Sequence, residues 1–217
     1  MPLSAASAAW WQHPEWVSAI ATVAAVVAAF LLFIATRHLL KARLRIHLVP
    51  DPPDWSSGLV ANSEAPDGPE RVFVVRLRVE NRGPDAARNV EAVVHGLRRK
   101  QDGRWVDAAT FLPSTLRWTH VGDRQLPLLL PKTTRHLDLA DIRRTTHIGQ
   151  DAVFVFALAP MPTFVYYLLH PGEYRFSVTV AAENARPRRA DFELRLTGDW
   201  DPEDAVMAKK GLTLQKT

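Results

Sequence analysis

The sequence contains no cysteine. That excludes disulfides, thiolate metal sites and a cysteine nucleophile, and it leaves no mark of an oxidising compartment. Charge is almost missing from the first 36 residues, where Glu15 stands alone. Absent too are the G-x-S-x-G elbow, the Walker loop, the G-x-G-x-x-G turn and the H-E-x-x-H pair. The eight histidines are scattered, without the close pairing that helical or hairpin metal sites use. The sequence therefore predicts no enzyme, no cofactor and no metal.

The chain carries 27 basic and 23 acidic residues, a formal charge of +4, and beyond residue 36 the balance is +5. An excess of this size suits a negatively charged lipid surface. It falls short of the dense basic patch of a dedicated nucleic-acid binder, so no nucleic acid is expected as a partner.

Residues 16–36 hold no charge and are mostly Ala, Val, Ile, Leu and Phe. About 21 residues at ~1.5 Å each give a helix of ~31 Å, the thickness of a hydrocarbon core. A core helix of a soluble domain would show a polar stripe. A cleaved signal peptide would carry basic residues ahead of a shorter apolar stretch. Here no Lys or Arg precedes the run, and Arg37, Lys41, Arg43 and Arg45 follow it. The pattern predicts an uncleaved anchor in the cell (inner) membrane, crossed once. Basic flanks stay in the cytoplasm, which puts the N-terminus outside and the C-terminal domain inside. Trp10, Trp11 and Trp16 suit the outer interface, and the four basic residues suit the inner one. Ser18, Thr22, Ala25 and Ala29 share one helix face. Small residues so spaced permit close approach and a homodimer, although an Ala-rich helix also produces the spacing by chance.

Beyond the helix the dominant period is two. Leu44, Ile46 and Leu48 alternate with Arg43, Arg45 and His47, and Phe73, Val75, Leu77 and Val79 alternate with Arg76, Arg78 and Glu80. The same alternation returns at Phe154–Phe156–Leu158, at Tyr174–Phe176–Val178–Val180 and at Phe192–Leu194–Leu196, with a turn expected over 184–187. Three weaker strand-like pieces lie at 111–118, 126–130 and 136–142. Residues 50–70, rich in Pro, Ser, Gly and acids, read as a long mobile loop, part of which Trp55 docks. Asp201-Pro202-Glu203-Asp204 reads as a helix start, with an N-cap, a first-position proline and acids in the first turn.

The chain thus divides into an extracytoplasmic N-terminus (1–15), a transmembrane helix (16–36) and a basic juxtamembrane segment (37–43). A β-sandwich domain (44–200) containing the 50–70 loop follows, then a short C-terminal helix and tail (201–217). The expected fold is mainly β: an antiparallel sandwich of Ig-like type behind a membrane helix.

Residues 76–96, RLRVENRGPDAARNVEAVVHG, resemble the strand–turn–strand signature of bacterial Ig-like domains of the CARDB type. The shared positions are Val79, Asn81, Gly83, Ala87, Asn89 and Val90. PGEYRFSVTV, 171–180, is similar to the penultimate strand of that family, where a Tyr follows a turn glycine. The layout of apolar span, basic stretch and β domain also resembles many bacterial single-pass membrane proteins. Such domains bind, space or support, and the resemblance implies no active-site residues.

Three groups of residues carry two readings each. His136, Asp138 and Asp141 are the nearest approach to a polar cluster, but a spacing of three sets the two carboxylates on opposite faces of a strand, so solvated edge residues are the plainer reading. Arg98-Arg99-Lys100 and Arg186, Arg188 and Arg189 are either solvated hairpin tips or contacts for anionic headgroups or a phosphate backbone. The apolar run 160–171 is either a strand buried on both faces or an exposed loop that touches lipid or a partner. Together these features predict a membrane-tethered, non-enzymatic interaction or scaffold module whose partners are the bilayer and another protein. The rivals are a cell-envelope component with its β domain outside, and an enzyme whose site is assembled from distant loops.

Overall fold

The computed structural model describes residues 14–39, 41–60, 70–144, 151–160 and 167–217. It comprises two units, Met1–Leu40 and Lys41–Thr217.

The first unit is a single helix, α1 (Pro14–Leu39). Its stretch Trp16–Ile34 is long and apolar enough to cross a membrane, and none of those side chains is buried. Within it the Thr22 hydroxyl donates to the Ser18 carbonyl at 2.9 Å. The Thr22 hydroxyl is thereby satisfied inside its own helix. Trp10 and Trp11 lie outside the described residues. Arg37 falls in the last turns of α1, so the helix runs into the segment expected to be juxtamembrane.

The second unit is two antiparallel sheets, as the alternation predicts. The strands are β1 (Leu44–His47), β2 (Trp55–Val60), β3 (Glu70–Asn81), β4 (Ala87–Gln101), β5 (Arg104–Asp107), β6 (Ser114–Thr115), β7 (Gln125–Leu129), β8 (Thr134–Arg144), β9 (Ala152–Phe156), β10 (Leu168–Leu169), β11 (Gly172–Ala182), β12 (Ala185–Leu196) and β13 (Leu212–Lys216). One sheet runs β1-β3-β8-β9-β10, with β2 also paired to β3. The other runs β13-β12-β11-β4-β5, with β6 and β7 also along β4. Long β3 and β4 are spines: short strands lie end to end along one edge of each, which lets irregular sequence be absorbed without shortening the spine.

The inward residues of both sheets form one core. Its centre is aromatic. Phe154 and Phe156 of β9 meet edge-to-face at 5.2 Å, Phe156 meets Phe176 of β11 at 5.3 Å, and Phe176 stacks on Phe192 of β12 at 5.6 Å. These offset geometries match the ring quadrupoles and join one sheet to the other. Residues 114–118 switch layers: Ser114 and Thr115 pair with β4, while Trp118 bridges to Leu137 of β8. Buried Trp118 donates its indole N–H to the Val90 carbonyl at 3.1 Å, tying that corner back to β4.

Asn81 and Gly83, two of the positions in the family resemblance, fix where the chain joins the sheets. The Asn81 side chain is buried, and its amide oxygen accepts from the backbone N–H groups of Arg43 and Gly83, both at 3.0 Å. Its amide nitrogen donates to the carbonyls of Asp85 at 2.7 Å and Leu129 at 3.1 Å. Four bonds satisfy the group fully, so its burial is stabilising. Tyr174, from the second resembling segment, donates its hydroxyl to the His170 carbonyl at 2.8 Å, and burial pushes that phenol above its ordinary pKa.

Several boundaries differ from the sequence reading. Residues 55–60 are strand rather than loop: buried Trp55 packs edge-to-face on Phe73 and pulls its neighbours into register with β3. Residues 61–69 and 161–166 lie outside the described residues, and with them half of the 160–171 run; of its end, Leu169 is buried in β10. The last hairpin turns at Glu183 and Asn184, two residues early, because the Asn184 side chain is held by Asp85, Ala86 and the Arg88 N–H. Pro187 then sits inside β12, beyond the reach of β13, where no ladder N–H is needed. The C-terminal helix α2 (Asp204–Val206) begins at Glu203 as N-cap rather than Asp201. The Asp204 carboxylate accepts instead from the Ser57 N–H at 2.9 Å, a tertiary bond in place of a local cap. After a wide turn, Met207–Gly211, the expected tail is β13, with Leu212 and Leu214 in the core.

Candidate functional site

Three polar constellations occupy the described surface of the β unit.

The first lies on the outer face of β3 and β8. A register shift between Val75 and Arg76 marks a bulge opposite, in β8, with Leu137, Leu139, Ala140 and Ile142 all in the core. The extra residue resets parity, so Asp138 and Asp141 emerge on the same face, against the expectation from their spacing. Both are buried. Asp138 receives Arg76 Nε at 3.0 Å and the Thr119 hydroxyl at 2.6 Å, with Arg117 Nε at 3.5 Å, while Asp141 pairs with Arg143 at 3.0 Å. Beside them the carboxylate of Asp54, wholly buried, lies 2.5 Å from Arg78 Nε and 3.0 Å from His136 Nε2. The Arg78 contact is an ion pair without hydrogen-bond alignment, and the His136 contact lacks that alignment too. The cluster acts as a clamp: it holds residues 51–54 down on β3, helped by the Arg76 bond to the Pro53 carbonyl at 2.8 Å. Among the described residues no hydroxyl is hydrogen-bonded to His136, so no nucleophile–base pair forms there, and no three metal-binding side chains converge. Asp54→Asn is expected to lower stability by about 2 kcal/mol, because Arg78 loses its counter-charge while the acceptor shape is kept. Urea unfolding of the full chain in neutral detergent would measure it, and an unchanged midpoint would refute the clamp.

The second constellation lies on the outer face of the other sheet, around a cleft of about 470 Å³. His95 Nε2 and the Thr179 hydroxyl are 2.8 Å apart. A general base also needs an orienting group on the other ring nitrogen. The nearby carboxylate of Asp191 instead accepts from the Ser177 hydroxyl at 2.6 Å and from Arg189 Nε at 2.8 Å. The Ser177 bond, then that of Arg189, hold Asp191 below its ordinary pKa. The third link of a triad is therefore not made. Beside this cleft Arg98 pairs with Asp107, and Arg175 pairs with Glu193 and stacks 4.2 Å over the Trp105 ring. Arg98 is thus strand-borne and paired, not a free hairpin tip.

The third is basic. Arg43 and Arg45 point outward from the first residues of the β unit because Ala42, Leu44 and Ile46 take the inward positions. Ala42 bridges in parallel to Ala185, which brings β12 alongside β1. Arg188 and Arg189 follow on the part of β12 that β13 does not cover. Lys216 reaches across from β13, its ammonium donating to the Ile46 carbonyl at 3.0 Å. Together with Arg82 these side chains line a cleft of about 790 Å³. One carboxylate, Glu80, balances part of the charge: Arg82 at 2.7 Å and His47 at 3.0 Å both bind it, and the Arg82 bond above all holds it below its ordinary pKa. Arg189 pairs with Asp191. Arg43, Arg45 and Arg188 form no ion pair among the described residues. Three guanidinium groups without a carboxylate partner, with Lys216 beside them, give this cleft a net positive charge.

That Arg43 and Arg45 stand together just after the apolar run was legible in the sequence. Their meeting with Arg188, Arg189 and Lys216 was not, because only sheet closure brings residues so distant in sequence together. Asp54 left no sequence signal beyond its place in a polar segment. No known protein family matches this chain, and neither does any curated protein.

Proposed function

We propose that the protein is a single-pass membrane protein, non-enzymatic, that holds its β unit at the cytoplasmic face of the cell membrane to engage a protein partner there. The supporting observation is an apolar helix with no buried side chain, Trp16–Ile34, followed after Leu40 by a β unit whose first residues are already fixed in a sheet. Such a connection leaves little slack. The tether confines the domain to a thin layer above the bilayer and raises its effective concentration toward other membrane proteins, so weak contacts suffice. Exposed Leu59, Leu112, Leu128 and Leu130 offer apolar contact area on the β unit.

The test is a pair of C-terminal reporters in intact cells, one active only after export and one only in the cytoplasm, combined with membrane fractionation. The expected result is a chain that pellets with membranes, resists alkaline carbonate and lights the cytoplasmic reporter. Activity of the export-dependent reporter would place the β unit outside and favour an envelope component. Full-length chain in the detergent-free supernatant would remove the anchor altogether.

A further inference from the structure

We infer that the basic cleft between β1 and β12 binds the phosphate of anionic lipid headgroups, an inference that rests on the anchor reading above. Elsewhere on the β unit, arginines such as Arg76, Arg78, Arg98 and Arg175 face carboxylates, and others such as Arg104 have no ion pair among the described residues but stand apart. At this cleft three without an ion pair come together, from β1 with the residue before it and from β12, which the Ala42–Ala185 bridge sets side by side. Guanidinium groups bind phosphate oxygens in pairs through a planar fork, which makes arginine the fitting residue for this ligand.

Chain length supplies the reason for a membrane source. Arg45 is six residues beyond Leu39, the last residue of α1, so the chain cannot carry it more than about 20 Å from the helix end. Phosphates of an anionic leaflet are dense in that zone, and the surface potential attracts basic groups within roughly a Debye length. The cleft is open and about 790 Å³, which admits a glycerophosphate headgroup from its side. Lys216, anchored on the Ile46 carbonyl, adds a fixed charge at one rim.

The experiment uses the full chain in nanodiscs, which leave both bilayer faces open to solvent. One set contains phosphatidylcholine alone and the other includes phosphatidylglycerol. Arginines are modified with phenylglyoxal and the sites read by mass spectrometry; co-elution with the disc reports insertion separately. In anionic discs Arg43, Arg45 and Arg188 are expected to react about tenfold more slowly than in neutral ones, and raised salt should erase the difference. Exposed Arg104, in the turn region of the β4–β5 hairpin, should react equally in both. The double variant R45E/R188E should lose the protection at Arg43, while R104E should keep it. Equal rates in both discs, with the chain co-eluting, would overturn the cleft assignment and leave the anchor standing. Equal protection by inorganic phosphate over neutral discs would overturn the lipid source in favour of a soluble phosphate. A chain that co-elutes with neither disc would remove the anchor, and this inference with it.

Discussion

Gly83→Ala is expected to destabilise the β unit by about 3–4 kcal/mol, lowering its melting temperature by roughly 6–16 °C. A Cβ at Gly83 would stand 2.2 Å from the Lys41 carbonyl oxygen, 2.6 Å from the Arg43 nitrogen and 2.7 Å from the Ala42 Cα. All three are backbone atoms, so no side-chain rotation relieves the overlap. The segment they belong to is held from the other side as well, by the Asn81 amide oxygen on the Arg43 N–H and by the Arg82 N–H on the Arg43 carbonyl at 2.8 Å. Either residues 41–43 move out and break those bonds, or β3 bends away from β1. Gly58→Ala is the matched control, since its Cβ would meet only Val74 Cγ2 at 3.8 Å. That change should be neutral or slightly stabilising. Thermal unfolding of the full chain in neutral detergent compares the two, and equal melting temperatures would show that the close approach is not a constraint.

Phe176→Ala should cost about 4 kcal/mol, the largest loss expected from a single core truncation here. The ring is buried and touches three others, with Phe154 at 6.5 Å completing the set formed by Phe156 and Phe192. Two of those neighbours belong to the opposite sheet, so the cavity would open between the layers, where rigid backbone on both sides limits collapse. Phe176→Leu, which keeps most of the volume, should lose no more than about 1.5 kcal/mol. Denaturant unfolding of the two variants beside the parent reads the difference. A Phe176→Ala midpoint matching that of Phe176→Leu would mean that the sheets are joined elsewhere.

The sequence made the layered β architecture visible wherever burial on one face is uninterrupted. Val75 to Val79, Tyr174 to Val180 and Phe192 to Leu196 alternate apolar with polar, and each belongs to a long central strand. Legibility failed where a strand owes its existence to a neighbour. Trp55–Val60 reads as WSSGLV, with small polar residues in place of an apolar face, and it is a strand because β3 offers an edge and Trp55 an anchor. Leu212–Lys216 is five residues long and follows a helix signal, so its alternation is easily taken for a tail. Parity failed at Asp138 and Asp141 because a bulge inserts a residue that no periodic template marks. For the candidate site the sequence exposed one wall, Arg43 and Arg45, and concealed the other. Arg188 and Arg189 looked like the tip of a hairpin, and their approach to β1 is a property of the closed sandwich alone.

The pairing of β4 with β11 gives the fold a timetable. Roughly 70 residues separate Gln101 from Gly172, and at ~5–20 residues per second a ribosome needs about 4–14 s to deliver the second strand after the first. Through that interval a fifteen-residue strand presents a bare row of N–H and C=O groups, the template on which nascent chains aggregate. The apolar helix emerges long before, so insertion would anchor each growing chain apart from its neighbours while the edge waits. Slowing translation between residues 101 and 172 should therefore reduce yield more than slowing it after residue 182, where β4 already has its partner in hand.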